Sequence, residues 1–520
     1  MSEIKNILFI MTDQMRADCL SAEGHPVVKT PNLDWLAKQG VRFDRAFVQS
    51  AVCGPSRMCF YTGRYVHAHR SYWNGVPLPM EELTIGDFMR EAGIRAALCG
   101  KTHHVEDTDQ IRRLEQRGLD KNKIFSKYAG LEPWETDEAR GKGWIAYLKS
   151  KGYNLPFDEH PGAAPYIVST PDGRWLNGWR FESAAYPTVI REEDSDTAYM
   201  TRRAMEFIQD AGEEPWLLHL SYIKPHWPNV APAPYHNMYD PASVPAPIRI
   251  PEELENPHPL HIPYREERRS VPFDREEVWR QMRATYYGLI TQIDDHLGKL
   301  FRFLESKGRM KDTLIIFTSD HGEYMGDHWL FEKELFYEQA IRVPLIIYDP
   351  SVAADQTRGT VDHRFVESID ILPTCLDAFG LDIPRFIQGR SLLPLVRGEE
   401  VDEWRDAVFA DWDFRFYQTG VRLSLPFERC RAWMIRDDHY KYVHFNGLPN
   451  MLFDLKNDPN EFYNLAADPK YKDVILEYQS RLIEWRQTYE DNSRGYLQEI
   501  RYKRAGVSNL PENILEFPKP

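Results

Sequence analysis

Ile7-Leu8-Phe9-Ile10-Met11 is an uninterrupted apolar run near the start of the chain. A strand with one face in water alternates apolar and polar residues. This one does not, so both of its faces must be covered. Similar runs recur at Ala96-Ala97-Leu98, Trp216-Leu217-Leu218-His219-Leu220, Leu314-Ile315-Ile316-Phe317 and Leu345-Ile346-Ile347-Tyr348. Helical stretches lie between them. Thr84 to Ala92 is one. A longer one runs from about Ala284 to Lys307, with Leu289, Ile293, Leu297, Leu300 and Leu304 at spacings of three and four and Gly308 as its stop. Covered strands alternating with helices imply an α/β fold: a large mixed, mainly parallel sheet flanked by helices.

The 520 residues are enough for a large core and two packed units. The pattern changes near residue 401. Short strand-like pieces, Ala407 to Ala410 and Tyr440 to Phe445, precede a terminal helix from Tyr471 to Tyr489. The expected division is therefore a catalytic α/β unit over 1–400 and a smaller C-terminal α+β unit over 401–520. Residues 106–200 and 224–275 lack a clear period and read as excursions from the sheet, suited to lids or oligomer contacts. The tail after Arg494 is too polar to fold alone and is expected to pack on a neighbouring subunit of a homo-oligomer.

A net charge of −15 argues against nucleic acid or an anionic membrane as partner. An anionic substrate would need a locally basic pocket. The six cysteines (Cys19, Cys53, Cys59, Cys99, Cys375 and Cys430) are too scattered for a disulfide framework, and none forms a CxxC zinc pattern. The first apolar run stops at Thr12-Asp13 without a cleavage site, so a cytoplasmic protein is expected.

Ligands in parallel α/β sheets sit beyond the carboxyl ends of strands. Asp13 and Gln14 follow the first run, Lys101 and His103 the second, Lys224-Pro225-His226 the third, and Asp320-His321-Gly322-Glu323 the fourth. Asp13, Asp320 and His321 make a divalent-metal set of two hard oxygen donors and an imidazole. Arg57, Lys101, His103, His226 and Lys333 could neutralise a tetrahedral anion and protonate a leaving group. Cys53 should begin a helix closed by Gly63, at the end where anions are favoured. His67-Ala68-His69 and His258/His261 are set aside for want of nearby carboxylate or cysteine partners. Asp294-Asp295 reads as a solvated or structural pair.

Cys53-Gly54-Pro55-Ser56-Arg57, followed by Thr62-Gly63-Arg64, fixes a Pro and an Arg beside a cysteine. With Thr12-Asp13-Gln14, Thr30-Pro31-Asn32-Leu33-Asp34, Gly100-Lys101-Thr102-His103, Ser319-Asp320-His321-Gly322 and, near the C-terminus, Asp458-Pro459-Asn460-Glu461, these motifs resemble the sulfatase branch of the alkaline phosphatase superfamily along nearly the whole chain. Within it the chain is most similar to arylsulfatases and phosphonate monoester hydrolases. The resemblance implies that a formylglycine-generating enzyme oxidises Cys53 to formylglycine, whose hydrate attacks sulfur or phosphorus and then expels the ester group. It implies Asp13, Asp320, His321 and converted Cys53 as ligands of one calcium or manganese ion. Arg57 and Lys101 would support the diol and anion, His103 would be the base, and His226 and Lys333 would serve the leaving group. Asn74 matches a pocket asparagine. Many sulfatases carry a second Asp where this chain has Gln14, which is expected here among the substrate-binding groups. The phosphonate hydrolases are expected to carry Tyr and Thr where this chain has Lys101 and His103, so the pair favours sulfate monoesters, with phosphonate monoesters and phosphodiesters as the alternative. A third reading, a metal- or anion-binding module with unconverted Cys53, fits poorly with so complete a set of charged groups.

Overall fold

A computed structural model describes residues 4–117, 127–136, 142–157, 163–266, 269–415 and 418–490. Eight strands form the main sheet: β1 (Asn6–Asp13), β2 (Val41–Phe43), β3 (Arg95–Gly100), β4 (Glu132–Thr136), β5 (Trp216–Pro225), β6 (Thr313–Ser319), β7 (Leu345–Tyr348) and β8 (Thr360–Asp362). Their order is β8-β2-β7-β6-β1-β5-β3-β4. Every ladder is parallel except the two that β7 makes with β6 and β2. The expected mixed, mainly parallel sheet is thus what forms. β1 lies at its centre, between β5 and β6, and all of its residues are buried. That is why its sequence shows no alternation.

One apolar layer covers each face. On one side α1 (Pro31–Gln39), α3 (Asp196–Ala211) and α4 (Glu276–Ser306) pack with Leu8 and Ile10. On the other, α2 (Cys53–Thr62) packs with Ile7, Phe9 and Met11. α4 starts well before the expected Ala284. Its first turns, around Trp279 and Met282, are buried against the excursion segments instead of the sheet, so their period is harder to read.

The 106–200 segment is not wholly outside the sheet, contrary to expectation. It supplies β4, the edge strand beside β3. Glu132-Pro133-Trp134-Glu135-Thr136 carries a proline and two carboxylates and is half-exposed, which is edge-strand composition and gives no buried run. The 224–275 segment forms short 3-10 turns and one short helix. Four antiparallel strands, β9 (Ala407–Asp413), β10 (Arg431–Asp437), β11 (Tyr440–Phe445) and β12 (Met451–Asp454), follow in a meander backed by α5 (Lys472–Thr488). The tail expected to meet a neighbouring subunit lies outside the described residues. No described helix is long and apolar enough to cross a membrane.

Asp294 is fully buried, not solvated. Its carboxylate accepts from Asn32 N, Asn32 Nδ2 and Leu33 N at 3.0, 2.8 and 2.7 Å, capping α1 from α4 in place of Thr30, whose side chain makes no cap bond. Asp294→Ala should therefore lower stability by about 2 kcal/mol, since buried N–H donors lose a charged acceptor. Urea unfolding checks this; a loss below about 0.5 kcal/mol would mean that water replaces the carboxylate.

Candidate active site

The carboxyl ends of β1, β3, β5 and β6 meet at one point. Gly100, with φ of 121°, lets β3 close on β5 just before Lys101; a Cβ there would lie 1.9 Å from Ser221 O. α2 begins at Cys53 behind an extended Val52 and ends at Gly63 in the left-handed conformation, φ 64°. Its positive end therefore faces the pocket.

Cys53 Sγ lies 3.1 Å from His321 Nε2 and 3.8 Å from Asp13 Oδ1. Ligand atoms of Asp13, Cys53, Asp320 and His321 all fall within 4.8 Å of one another, and all four residues are buried. Each carboxylate divides its oxygens. Asp13 Oδ2 accepts from Lys101 Nζ and faces Arg57 Nη2 at 3.4 Å, while its Oδ1 turns to Cys53 and His321. Asp320 Oδ2 accepts from Arg57 Nε at 2.8 Å, while its Oδ1 lies 3.6 Å from His321 Nε2. One hard oxygen per carboxylate, an imidazole nitrogen and the group at position 53 thus converge, a donor set that suits a divalent cation.

Arg57 is the hub. Besides the two carboxylates, its Nη1 donates to Lys101 O at 2.6 Å and Ser221 Oγ at 2.8 Å. Its side chain is fully buried. Burial and Cys53 would raise the Asp13 carboxyl, but the cations Lys101 and Arg57 hold it well below its usual range. Burial opposes charge on Lys101 and Lys333, yet Asp13 and Cys53 for the first, and Cys53 and Glu332 for the second, raise both. At position 53 burial would raise the thiol, but Lys101, Lys333, His321 and a hydrogen bond from His103 pull it well below its ordinary value. The pocket therefore stabilises negative charge where the sulfur sits.

Lys333, which as a lone lysine would be expected on the surface, is 4 % exposed. Its Nζ donates to Gln14 Oε1 at 2.8 Å and lies 3.0 Å from His226 Nε2. An ammonium can only donate, so His226 Nε2 is the acceptor. His226 Nδ1 then carries the proton and donates to Trp227 O. Gly54 N donates to Asn74 Oδ1 at 2.7 Å, placing Asn74 at the mouth of α2. Gln14 and His103 both have positive φ, 71° and 56°, backbone strain gathered at the pocket.

Every residue singled out from the sequence is thus in this pocket: Asp13, Gln14, Cys53, Arg57, Asn74, Lys101, His103, His226, Asp320, His321 and Lys333. Sequence reading missed Ser221, whose place directly after the β5 apolar run was the available signal, and noted Glu323 at its strand end without giving it a role; it lies under Gln14. Burial pushes the Glu323 carboxyl up to about 7, against hydrogen bonds from Met325 N and Gln14. Two of the histidines set aside do have carboxylate or cysteine partners, from afar in sequence or within a neighbouring turn, whereas His258 and His261 meet Pro449 O and Tyr337 Oη. His67 Nδ1 lies 3.0 Å from Asp411, and His69 Nε2 lies 3.4 Å from Cys59 Sγ.

The sulfatase family pattern matches residues 5–381. The chain belongs to the sulfatase family. A second pattern, that of the N-sulphoglucosamine sulphohydrolase C-terminal region, matches residues 326–488. The chain is 38% identical to the multifunctional alkaline phosphatase superfamily protein PehA of Trinickia caryophylli, covering 94% of this chain and 96% of that one. It is 28% identical to an arylsulfatase of Clostridium perfringens, over 94% and 95%. Among solved structures, the phosphonate monoester hydrolase of Agrobacterium radiobacter superposes with a TM-score of 0.83 at 34% identity, over 95% and 97% of the two chains. This sulfatase-family hydrolase is thus similar both to arylsulfatases and to phosphonate monoester hydrolases.

Proposed function

We propose that the enzyme hydrolyses sulfate monoesters, aryl sulfates among them, with formylglycine at position 53, and that it also accepts phosphonate monoesters and phosphodiesters. The observation that carries the sulfate preference is the placement of Lys101 on Asp13 and of His103 on Cys53. Oxidised and hydrated, residue 53 supplies a hydroxyl nucleophile and a second hydroxyl through which the bound group is expelled. Asp13, Asp320, His321 and residue 53 would hold one calcium or manganese ion, which supplies Lewis-acid polarisation of the ester oxygens and acidifies the nucleophile.

The chain's own groups do the rest. Arg57 stays on the two carboxylates and holds them in place. Lys101 Nζ, bonded to Asp13, stands where it can also donate to an anion's oxygen. His103, beside position 53, takes the proton when the second hydroxyl collapses. That task suits sulfate, because the S–O link to the enzyme must leave by C–O cleavage. Lys333 donates to the departing alcohol oxygen, and neutral His226 keeps its ammonium aimed there. The expected homo-oligomer, the formylglycine-generating partner and the division near residue 400 are carried forward within this reading.

A second reading reverses the preference and makes phosphonate monoesters the main substrate. It is favoured by the likeness to two phosphonate monoester hydrolases, at 34% and 33% identity with TM-scores of 0.83. The decisive measurement is kcat/KM for an aryl sulfate and a phenyl phosphonate monoester on one converted, metal-loaded preparation. Sulfate should exceed phosphonate, and Lys101→Tyr with His103→Thr should cut the sulfate-to-phosphonate ratio by about a hundredfold, the scale of one positioned acid–base group. An unchanged ratio would overturn the assignment of those two residues to sulfate.

A further inference from the structure

Glu323 directly follows the Asp320-His321-Gly322 motif and is almost wholly buried, 1% exposed. Its Oε1 accepts from Met325 N at 3.0 Å, and its Oε2 accepts from Gln14 Nε2. Two N–H donors facing two oxygens is the pattern an ionised carboxylate satisfies. From there a single file of hydrogen bonds crosses the pocket. Gln14 Oε1 accepts from Lys333 Nζ, Lys333 Nζ meets His226 Nε2, and His226 Nδ1 meets Trp227 O.

Both ends of the file are acceptors, a carboxylate and a backbone carbonyl. Lys333 in the middle can only donate. These constraints leave one consistent arrangement. The Gln14 amide must turn its NH2 to Glu323 and its carbonyl to Lys333, and the His226 ring must carry its proton on Nδ1. Were the Gln14 amide reversed, its NH2 would meet the Lys333 ammonium and its carbonyl would meet the Glu323 carboxylate. Two donors and two acceptors would then be opposed in a buried site, each costing about 1–3 kcal/mol.

We propose that Glu323 is the positioning residue that, through Gln14, holds Lys333 on the leaving group. Gln14 is clamped on its other atoms as well. Its N donates to Asp320 Oδ1 at 3.0 Å and its O accepts from Tyr286 Oη at 2.7 Å. Only the amide torsion is left for Glu323 to set. With Gln14 and His226 taking two of the ammonium's three N–H bonds, the third points to substrate. One N–H of the Gln14 amide is then committed to Glu323. Its carbonyl orients a cation, a role beside the substrate contact expected of it.

The inference rests on the leaving-group role proposed for Lys333, and the test separates the two. kcat/KM is measured for a series of ring-substituted phenyl esters, sulfate or phosphonate according to which the wild type turns over faster, spanning good to poor leaving groups. Three variants are compared with wild type: Lys333→Ala, Glu323→Leu and Glu323→Gln. Lys333→Ala should slow poor leaving groups about a hundredfold more than good ones, because a donor to the departing oxygen matters most when that oxygen is basic. Glu323→Leu should steepen the dependence in the same sense, by about tenfold or more across the series. Glu323→Gln, whose carbonyl can accept from Gln14 but whose NH2 then opposes Met325 N, should fall between Glu323→Leu and wild type. It carries the test if the leucine variant does not fold. A steep Lys333→Ala series with parallel Glu323 series, every ester losing the same factor, would show a merely structural Glu323 and overturn the proposal. A flat Lys333→Ala series would overturn the leaving-group role itself and the proposal with it.

Discussion

Cys53→Ala should lower kcat/KM by about four to six orders of magnitude, for sulfate and phosphonate esters alike, the scale seen when a covalent nucleophile is removed. The loss should be chemical, not structural. The sulfur is one buried atom at the first turn of α2, and its removal should cost only about 1 kcal/mol. What remains should still bind anions. Lys101, Lys333 and the start of α2 do not depend on the side chain at 53, so inorganic sulfate should titrate calorimetrically into the variant with an affinity within about tenfold of wild type. Both halves matter. Lost turnover with retained sulfate binding places residue 53 as nucleophile in a standing anion site. Near-normal turnover would end the formylglycine reading, and lost sulfate binding would mean that the cysteine holds the pocket open.

How far the chain could be read before its structure differs by element, and the differences have physical causes. β1, β3, β5, β6 and β7 were legible because strands covered on both faces must be continuously apolar. The polar residues after four of them were legible as a site, since parallel strands deliver their carboxyl ends to one place. β4 was not, because an edge strand needs no apolar run. Lys333 was legible only through family resemblance: nothing local marks a lysine as buried when its partners, Gln14 and His226, lie 319 and 107 residues away. Asp294 could be read as structural but not as a cap, because helix periodicity reports one face against the sheet, and the donors it caps belong to α1. Glu323 was visible at its strand end, but its role was not, for a similar reason. The motif drew attention to the residues that face the cation, while the carboxylate behind them works through a glutamine on another strand end.

Arg57→Leu should be among the most destabilising single changes available in this chain, at about 3–5 kcal/mol. Asp13 and Asp320 are both fully buried, and Arg57 contacts each of them. Leucine fills most of the space but strands the Asp320 oxygen, leaves Asp13 Oδ2 with Lys101, and removes the donor from Lys101 O and Ser221 Oγ. The charged state of the pair then becomes the problem. Without Arg57 the Asp13 carboxyl that it helps to hold low would rise, and protonation would become the way to relieve the buried charge. Asp13 contributes stability that is present above its ordinary unfolded value and lost as pH falls through the depressed folded one. Removing Arg57 should move that acid limb upward, so the variant should recover part of its deficit towards pH 5 while the wild type does not. Denaturant midpoints at pH 5 and pH 8 measure this directly. A divalent cation gives an independent check. If Asp13 and Asp320 are the carboxylates that hold it, adding calcium or manganese should stabilise the variant more than the wild type, because the ion replaces the missing positive charge. A deficit under about 1 kcal/mol, indifferent to both pH and cation, would mean that Lys101 and Lys333 suffice to neutralise the pair, and that Arg57 serves the geometry of the pocket, not its charge balance.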